Sequence, residues 1–292
     1  MFSEKARERM LARGFSLFAF AGFFSDSFRE SIGHIRENRR LVRGIVRFSV
    51  IMQIAILGAL FPLYYPGALD LFARLAVSTA VSFAGFTGWL LLYTGLIRGP
   101  DGRVRTDAGL ANYLTMGRFY LIVPVVVLFS HGFLEAALVV YVVLGLTDIA
   151  DGVVARMRKE QTDFGVVMDP LADVFSTAAV FAAFLAAGLV PLWLFLVLMV
   201  RYFMLIAGSL VLFLATGPIR FRATIPGKIV GIIQGIGIII VLWSVWRGNN
   251  WETDIAPVLF PVLGLVFAGI VVSQGIMGYL HIRGFRRAGA RR

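Results

Sequence analysis

Long apolar runs alternate with short polar links along most of the chain. Eight such runs can be distinguished, at residues 48–66, 71–97, 109–130, 134–158, 166–188, 190–214, 226–247 and 257–280. A helix of about 20 apolar residues crosses the hydrocarbon core of a bilayer and satisfies its own backbone hydrogen bonds there. A transmembrane barrel would instead show short segments of alternating polarity. The pattern therefore predicts an all-α, polytopic membrane protein with eight spans.

The first 47 residues differ from these runs because they combine positive charge with aromatic side chains. They hold ten of the 28 lysine and arginine residues, interleaved with Phe15, Phe18, Phe20, Phe23, Phe24 and Phe28. This mixture predicts a basic amphipathic segment that lies in the plane of the lipid headgroups. For roughly the first dozen residues, a loosely ordered basic tail is an equal alternative.

Positive charge also marks one side of the predicted spans. The links on that side and the C-terminal tail carry Arg98, Arg103, Arg105, Arg158, Lys159, Arg220, Arg222, Arg283, Arg286, Arg287, Arg291 and Arg292. The opposite links hold only Arg247, with Arg74 near one helix end. Cytoplasmic loops carry the excess of basic residues. We therefore expect both termini on the cytoplasmic side, with a bacterial inner membrane as the location.

The composition narrows the class of function. The chain is 59% hydrophobic and only 15% charged, with a net charge of +11. In a soluble protein such a charge would suggest nucleic acid, but here the positive residues cluster at helix ends, where anionic lipid headgroups explain them better. The absence of cysteine excludes disulfide, iron–sulfur and thiol chemistry. We expect membrane lipids as partners and no nucleic acid.

Four aspartates interrupt two neighbouring apolar runs. Asp148 and Asp151 lie three residues apart, and Asp169 and Asp173 lie four apart, so each pair shares one face of its helix. The polar link at 158–164 predicts a helical hairpin that aims the four carboxylates at one point. Each aspartate costs roughly 2.5–3.5 kcal/mol at the centre of a membrane helix, so a compensating cation is expected. A divalent metal is the natural candidate, and a structural salt-bridge cluster is the alternative.

Small and basic residues stand at fixed distances from these aspartates. The pattern over residues 148–173 reads Asp-x2-Asp-Gly-x2-Ala-Arg-x8-Gly-x3-Asp-x3-Asp. It resembles the signature of the CDP-alcohol phosphotransferase family at every specified position. The resemblance implies a six-helix catalytic core at 107–283. It leaves a basic segment at 1–47 and two extra spans at 48–106 before the core, and a basic tail at 284–292 after it.

The resemblance also implies an activity, the transfer of a substituted phosphate from a CDP-linked lipid to an alcohol with release of CMP. It implies that Asp148, Asp151 and Asp169 hold two Mg²⁺ or Mn²⁺ ions. Asp173 would complete the cluster and take the proton of the acceptor hydroxyl; whether it is base, ligand or both stays open. No histidine lies inside the motif, which favours direct attack by the acceptor over a phosphorylated enzyme.

Six further residues are implied to contact the nucleotide. Asn112 and Thr115 belong to an Asn-x2-Thr-x2-Arg pattern in the first core helix that is similar to the family's pattern there. Glycine and alanine near the aspartates leave room for the nucleotide to approach the backbone, and an arginine there can bind a phosphate. These nucleotide-binding candidates are Asn112, Thr115, Gly152, Ala155, Arg156 and Gly165.

Four positive residues are candidates for binding the acceptor or a phosphate. Arg118 ends the pattern in the first core helix, and a buried counter-ion to the aspartates is its alternative role. Arg201 lies in the middle of an apolar run, where it can hold a phosphate or pair with a carboxylate. Arg222 lies at the membrane surface. Lys228, followed by Gln234, resembles the phosphatidylglycerophosphate synthase and cardiolipin synthase branch, and an interfacial anchor is the alternative.

This branch implies CDP-diacylglycerol as the donor and a small anionic alcohol, glycerol 3-phosphate, as the acceptor. A neutral acceptor would leave several positive groups unpaired at membrane depth. Inositol phosphate, serine or phosphatidylglycerol would be the acceptor in other members of the family. Two hypotheses of other classes stay open: a divalent-cation or anion transporter, and a catalytically silent membrane scaffold. The resemblance also implies a homodimer.

Overall fold

The computed structural model describes residues 17–64, 69–98, 104–158, 160–216, 225–248 and 251–289, together with residues 8 and 12. Ten α-helices follow one another in these ranges: α1 (Leu17–Glu37), α2 (Arg39–Tyr64), α3 (Leu69–Leu91), α4 (Leu110–Ser130), α5 (Leu134–Met157), α6 (Asp163–Ala186), α7 (Leu192–Thr216), α8 (Ile225–Arg247), α9 (Trp251–Asp254) and α10 (Ala256–Gly289). A short 3₁₀-helix at Thr94–Leu96 follows α3. The predicted all-α class is confirmed.

Seven of these helices contain stretches that are long and apolar enough to cross a membrane. They are Arg39–Pro62, Phe72–Leu91, Leu110–Ser130, Leu134–Met157, Asp163–Ala186, Ile229–Arg247 and Ala256–Ile276. They correspond to seven of the eight predicted spans. At the position of the eighth predicted span, helix α7 is 25 residues long. Its described apolar stretch, Leu192–Gly208, is shorter than the seven others. The chain is therefore a multi-pass membrane protein.

The first spanning helix begins earlier than the sequence pattern indicated. The Asn38 amide donates to the carbonyl of His34, and the Val42 amide donates to the carbonyl of Asn38, each at 3.1 Å. Helical hydrogen bonding thus continues from α1 through Asn38 into α2. Arginine is a strong helix former, so the basic residues after Asn38 do not interrupt the helix. The predicted span start at residue 48 lies inside α2.

Two compact units make up the chain, Met1–Ser176 and Thr177–Arg292. In the first unit, α4 packs against α2, α3 and α5. Of the span at Leu110–Ser130, 61% is buried, against at most 39% of any other of the seven spans. This helix is therefore the one around which the first unit is packed.

The helices that precede the predicted core pack directly on α4 through aromatic and hydroxyl side chains. The ring of Phe48 lies 4.9 Å from that of Tyr113 and 6.1 Å from that of Tyr120. The Thr87 hydroxyl donates to Ser49 at 2.7 Å and pairs with the Tyr120 hydroxyl at 2.8 Å. This buried hydroxyl chain joins α2, α3 and α4, so each of its members is satisfied without water.

In the second unit, α10 packs against α7 and α8. A glycine in α10 allows one close approach, since a Cβ on Gly264 would lie 2.6 Å from the ring of Trp193. Phe267 lies farther along α10, with its ring 6.2 Å from that of Phe181. Small residues at such contacts let membrane helices approach closely.

The hydroxyl chain generates a stability prediction. Thr87→Val keeps the side-chain shape but deprives the buried hydroxyls of Ser49 and Tyr120 of their shared partner. We expect the free energy of unfolding to fall by about 1 kcal/mol, the scale of interhelical hydrogen bonds in membrane proteins. Thermal unfolding in detergent measures the change. Ser78→Ala is the control, because the Ser78 hydroxyl bonds a carbonyl of its own helix; equal losses in both variants would refute the interhelical contribution.

Candidate active site

The aspartate pairs are carried by the hairpin of α5 and α6, as their spacing indicated. Arg158 and Glu160 close the end of α5, since their amides donate to the carbonyls of Val154 and Ala155 at 2.9 and 3.0 Å. The chain then turns, and α6 begins at Asp163. A carboxylate in the first turn is stabilised by the helix dipole.

One arginine of α4 gathers the four carboxylates. Arg118 contacts Asp148 through Nη1, and the same nitrogen lies 3.3 Å from Asp173. Its Nη2 lies 3.1 Å from Asp151 and 2.8 Å from Asp169. The structure thus brings together all four aspartates of the motif and the arginine of the first core helix.

The cluster has a closed side and an open side. The side chains of Arg118 and Asp151 are 1% and 5% exposed. Those of Asp148, Asp169 and Asp173 are 47%, 43% and 66% exposed. The guanidinium therefore lies behind the carboxylates, and a solute can approach three of them from the front.

Thr115 links the two helices of the hairpin from the same closed side. Its hydroxyl oxygen lies 3.0 Å from Asp151 Oδ2 and 3.1 Å from Asp169 Oδ1. It also lies 3.2 Å from the carbonyl of Ala111. A hydroxyl has one hydrogen to donate, so it serves one of these acceptors at a time. Thr115 contributes to holding the carboxylates of α5 and α6 in place.

Asn112 holds the start of α6 through Thr162, which was not among the predicted site residues. The Thr162 hydroxyl donates to Asn112 Oδ1 at 2.9 Å and accepts from the Gly165 amide at 3.3 Å. Asn112 also donates to the carbonyl of Ala108 at 2.7 Å. Thr162 is thus the N-cap of α6, and a threonine directly before a helix was the available signal.

The two glycines of the motif face different surroundings. A Cβ on Gly165 would lie 3.6 Å from Asn112 Oδ1 and 3.8 Å from Asp169 Oδ2. A Cβ on Gly152 would lie 3.4 Å from the guanidinium of Arg156. These are ordinary contact distances, so packing within the protein does not demand glycine at either position. Ala155 is half-buried, and Arg156 is exposed one turn after Gly152.

The other candidate acceptor residues belong to the second unit. Arg201, which is 9% exposed, donates to Gln234, and Gln234 donates to the Tyr202 hydroxyl at 2.7 Å. The guanidinium also lies over the rings of Tyr202 and Phe267, at 5.3 and 5.7 Å from their centroids. Arg222 lies outside the described residues. Lys228 lies in the first turn of α8, and its side chain is outside the described part.

The donor set suits a hard divalent cation. In the part of the chain that the structure describes, no group of three or more histidine or acidic side chains is arranged around a metal-sized gap. The aspartates instead turn one oxygen each toward Arg118. Each carboxylate has a second oxygen, and carboxylate oxygens are the ligands that Mg²⁺ and Mn²⁺ prefer. By the chemistry of its ligands, the cluster fits the cation that the motif implies.

The chain is similar to known proteins over part of its length. A family described as CDP-alcohol phosphatidyltransferase matches residues 108–272. A CDP-diacylglycerol–glycerol-3-phosphate 3-phosphatidyltransferase of Rickettsia felis is 36% identical over 74 residues, 24% of this chain and 40% of that protein. A protein of Mycobacterium tuberculosis named "Putative cardiolipin synthase" is 33% identical over 107 residues, 34% of this chain and 51% of its own. The chain thus spans about half or less of the length of these relatives.

The cap of α6 generates a prediction. Thr162→Ala removes the hydroxyl that bonds both Asn112 and the Gly165 amide. We expect the free energy of unfolding to fall by about 1 kcal/mol and the amides at the start of α6 to exchange faster with deuterium. Hydrogen-exchange mass spectrometry on peptides covering residues 163–168 checks this. Thr162→Ser keeps the hydroxyl and serves as the control; faster exchange in that variant as well would argue against the cap.

Proposed function

The chain belongs to the CDP-alcohol phosphatidyltransferase family, and we propose that it transfers a phosphatidyl group from CDP-diacylglycerol to glycerol 3-phosphate. The products are phosphatidylglycerophosphate and CMP. The observation that carries this proposal is the gathering of Asp148, Asp151, Asp169 and Asp173 around one guanidinium, with three of them open at the front. All four lie inside the matched residues 108–272.

The proposed substrate CDP-diacylglycerol imposes the first chemical requirement. Its pyrophosphate carries negative charge that must be neutralised before an oxygen can attack the phosphorus. Two Mg²⁺ or Mn²⁺ ions held by Asp148, Asp151 and Asp169, with Asp173 completing the cluster, would supply that neutralisation and polarise the phosphorus. The open side of the cluster gives the pyrophosphate a direction of approach, and the acyl chains of the donor stay in the bilayer.

The transfer itself needs a base. The acceptor hydroxyl oxygen bonds to the phosphorus that carries diacylglycerol, the bond from that phosphorus to the bridging oxygen breaks, and CMP leaves with that oxygen. The hydroxyl proton passes to Asp173, which we assign as the catalytic base. Asp173 is the most exposed of the four aspartates, at 66%, so an acceptor can reach it. A general base must lie within hydrogen-bond distance of the proton that it takes.

The nucleotide is proposed to bind beside Gly152, Ala155, Arg156 and Gly165. Since packing does not require glycine at either position, the missing side chains leave space for a ligand. The exposed guanidinium of Arg156 can hold a phosphate. Asn112 and Thr115 were also predicted to contact the nucleotide, and their hydrogen bonds add a positioning role, because they hold the start of α6 and the carboxylates.

The acceptor is proposed to be anionic. Arg201, Arg222 and Lys228 supply positive charge in and after α7, and an anionic acceptor would compensate it. The name of the relative from Rickettsia felis includes glycerol 3-phosphate, which supports this acceptor. The longer match, to the Mycobacterium relative, favours a second candidate acceptor, phosphatidylglycerol, which would make the product cardiolipin.

Topology and assembly complete the proposal. Both termini and the open side of the cluster are proposed to face the cytoplasm, where glycerol 3-phosphate is soluble, and the excess of basic residues in the links and the tail supports this orientation. A bacterial inner membrane is the proposed location. The active form is proposed to be a homodimer, by analogy with the family.

Removing single carboxylate charges tests the cluster. Asp148→Asn, Asp151→Asn and Asp169→Asn should each abolish detectable CMP release while the protein stays folded, because asparagine keeps the shape but loses the charge that holds the cation. Asp173→Asn should lower kcat by about 10²–10⁴-fold, the usual contribution of a general base, with Mn²⁺ binding retained. CMP release from CDP-diacylglycerol by purified protein is the measurement.

Asp163→Asn is the matched control, since Asp163 is exposed in the first turn of α6 and lies outside the cluster. It should retain wild-type turnover. Near wild-type turnover of Asp148→Asn, Asp151→Asn or Asp169→Asn would refute the metal assignment. Loss of Mn²⁺ binding in Asp173→Asn would make that residue a ligand as well.

Assays with a panel of alcohols test the identity of the acceptor. We expect CMP release with glycerol 3-phosphate, poor release with serine or inositol, and in Lys228→Ala a rise in the KM for the acceptor that exceeds any rise for CDP-diacylglycerol. Turnover with phosphatidylglycerol in place of glycerol 3-phosphate would establish the second candidate. Robust turnover with serine, or a Lys228→Ala effect confined to the donor, would contradict an anionic acceptor.

A further inference from the structure

Arg118 carries the most concentrated set of charge contacts among the described residues. Its side chain is 1% exposed, although a charged side chain inside a membrane helix is costly. The four aspartates lower that cost, and in return the guanidinium lowers the mutual repulsion of the four carboxylates. One positive charge offsets only part of four negative charges, so the cluster keeps an excess of negative charge on its open side.

The pairing of atoms within the cluster is ordered. Nη1 contacts Asp148 of α5 and Asp173 of α6. Nη2 contacts Asp151 of α5 and Asp169 of α6. Each terminal nitrogen therefore joins one carboxylate from each helix of the hairpin. Because a guanidinium is planar and its donors form a rigid fork, this pairing fixes the distance between the two helices at the cluster.

The guanidinium is closed to a substrate, because its side chain is only 1% exposed and its terminal nitrogens face the carboxylates. It carries two hydrogens on each terminal nitrogen and one on Nε. The terminal nitrogens donate hydrogen bonds to Asp148, Asp173 and Asp169, and Nη2 also lies 3.1 Å from Asp151 in an ion pair. Nε is buried, with no hydrogen-bond partner in the described part of the chain, so an acceptor phosphate cannot reach it. Of the two roles that the sequence left open for Arg118, the geometry favours the counter-ion.

We propose that Arg118 is a positioning residue, a built-in counter-cation that holds the four carboxylates in two interhelical pairs before the divalent cation binds. It then stays behind them while the cation binds on the open side. The proposal rests on the proposed function only for the identity of the cation. It assigns Arg118 no contact with the acceptor, in contrast to the role first predicted for it.

The proposal predicts two opposite effects of removing the charge. In the absence of a divalent cation, Arg118→Gln should unfold at a lower temperature than the wild type, because the four neighbouring carboxylates then repel one another without a counter-charge. With Mn²⁺ present, the variant should recover most of that loss, since the fixed positive charge no longer opposes the ion. The Thr115 hydroxyl still lies within hydrogen-bond distance of Asp151 and Asp169 and donates to one of them at a time, so these two ligands stay close together. We expect Mn²⁺ affinity to rise by roughly tenfold, which by linkage enlarges the stabilisation by the ion.

The experiment uses the full-length protein in detergent micelles and MnCl₂ alone as the probe. Binding is followed through the electron paramagnetic resonance signal of free Mn²⁺, and thermal unfolding is recorded in EDTA and in Mn²⁺. Arg158→Gln is the matched control, because it removes an exposed arginine at the end of the same hairpin. It should change neither readout. Both measurements are made without substrate, so they do not depend on which reaction the enzyme performs.

Arg118→Lys keeps the inference testable if the glutamine variant fails to fold even in Mn²⁺. A single ammonium keeps the charge but cannot hold two carboxylates on each of two nitrogens. The unfolding temperature of Arg118→Lys in EDTA should lie below that of the wild type. Its KM for glycerol 3-phosphate should stay within about twofold of the wild-type value, because Arg118 makes no contact with the acceptor. A lower kcat with an unchanged acceptor KM supports positioning.

The outcomes separate this inference from the proposed function. Unchanged Mn²⁺ affinity together with a raised acceptor KM in either variant would overturn the inference and make Arg118 an acceptor ligand. A wild-type protein that binds no Mn²⁺ would overturn it as well. If CMP release is absent but the Mn²⁺ and stability changes occur as described, the inference stands and the proposed function fails.

Discussion

Burial of one arginine among four aspartates is the constraint on which the first compact unit depends. Either sign of charge alone is costly inside membrane helices, and α4, α5 and α6 meet where Arg118 reaches all four carboxylates. Because four carboxylates face one guanidinium, the cluster keeps an excess of negative charge, and this charge is exposed on one side. The fold of this unit and the proposed chemistry thus have one physical origin, because the excess negative charge would attract the proposed cation.

The helix that carries Arg118 is positioned from two opposite directions. Toward the hairpin, Asn112 and Thr115 bond the start of α6 and the carboxylates. Toward α2 and α3, Tyr120 joins the buried hydroxyl chain through Thr87 and Ser49. The helices that precede the predicted core therefore contact α4 on the side away from the aspartates. A change in the packing of α2 or α3 would therefore affect the site by moving α4.

The sequence indicates the family and the candidate site because their signals are local. Hydropathy located the spanning helices, seven of which have the predicted length and composition. The spacing of Asp148, Asp151, Asp169 and Asp173 determined which faces of α5 and α6 they occupy. The family followed from the same spacing. These inferences depend on residues within a few helical turns of one another, for which the helical repeat is a sufficient geometric rule.

Only the tertiary structure decided which partner each buried polar group takes. The sequence could not show that Arg118 contacts all four carboxylates, because that contact depends on the approach of three helices. It missed Thr162 as the link between Asn112 and α6, and it treated Gln234 as a pattern residue without recognising its hydrogen bond to Arg201. It also placed the start of the first span inside α2, since hydropathy detects where charge ends and not where the helix begins. Hydropathy and spacing are properties of single segments, whereas a hydrogen-bond partner is set by packing between segments that are distant in the chain.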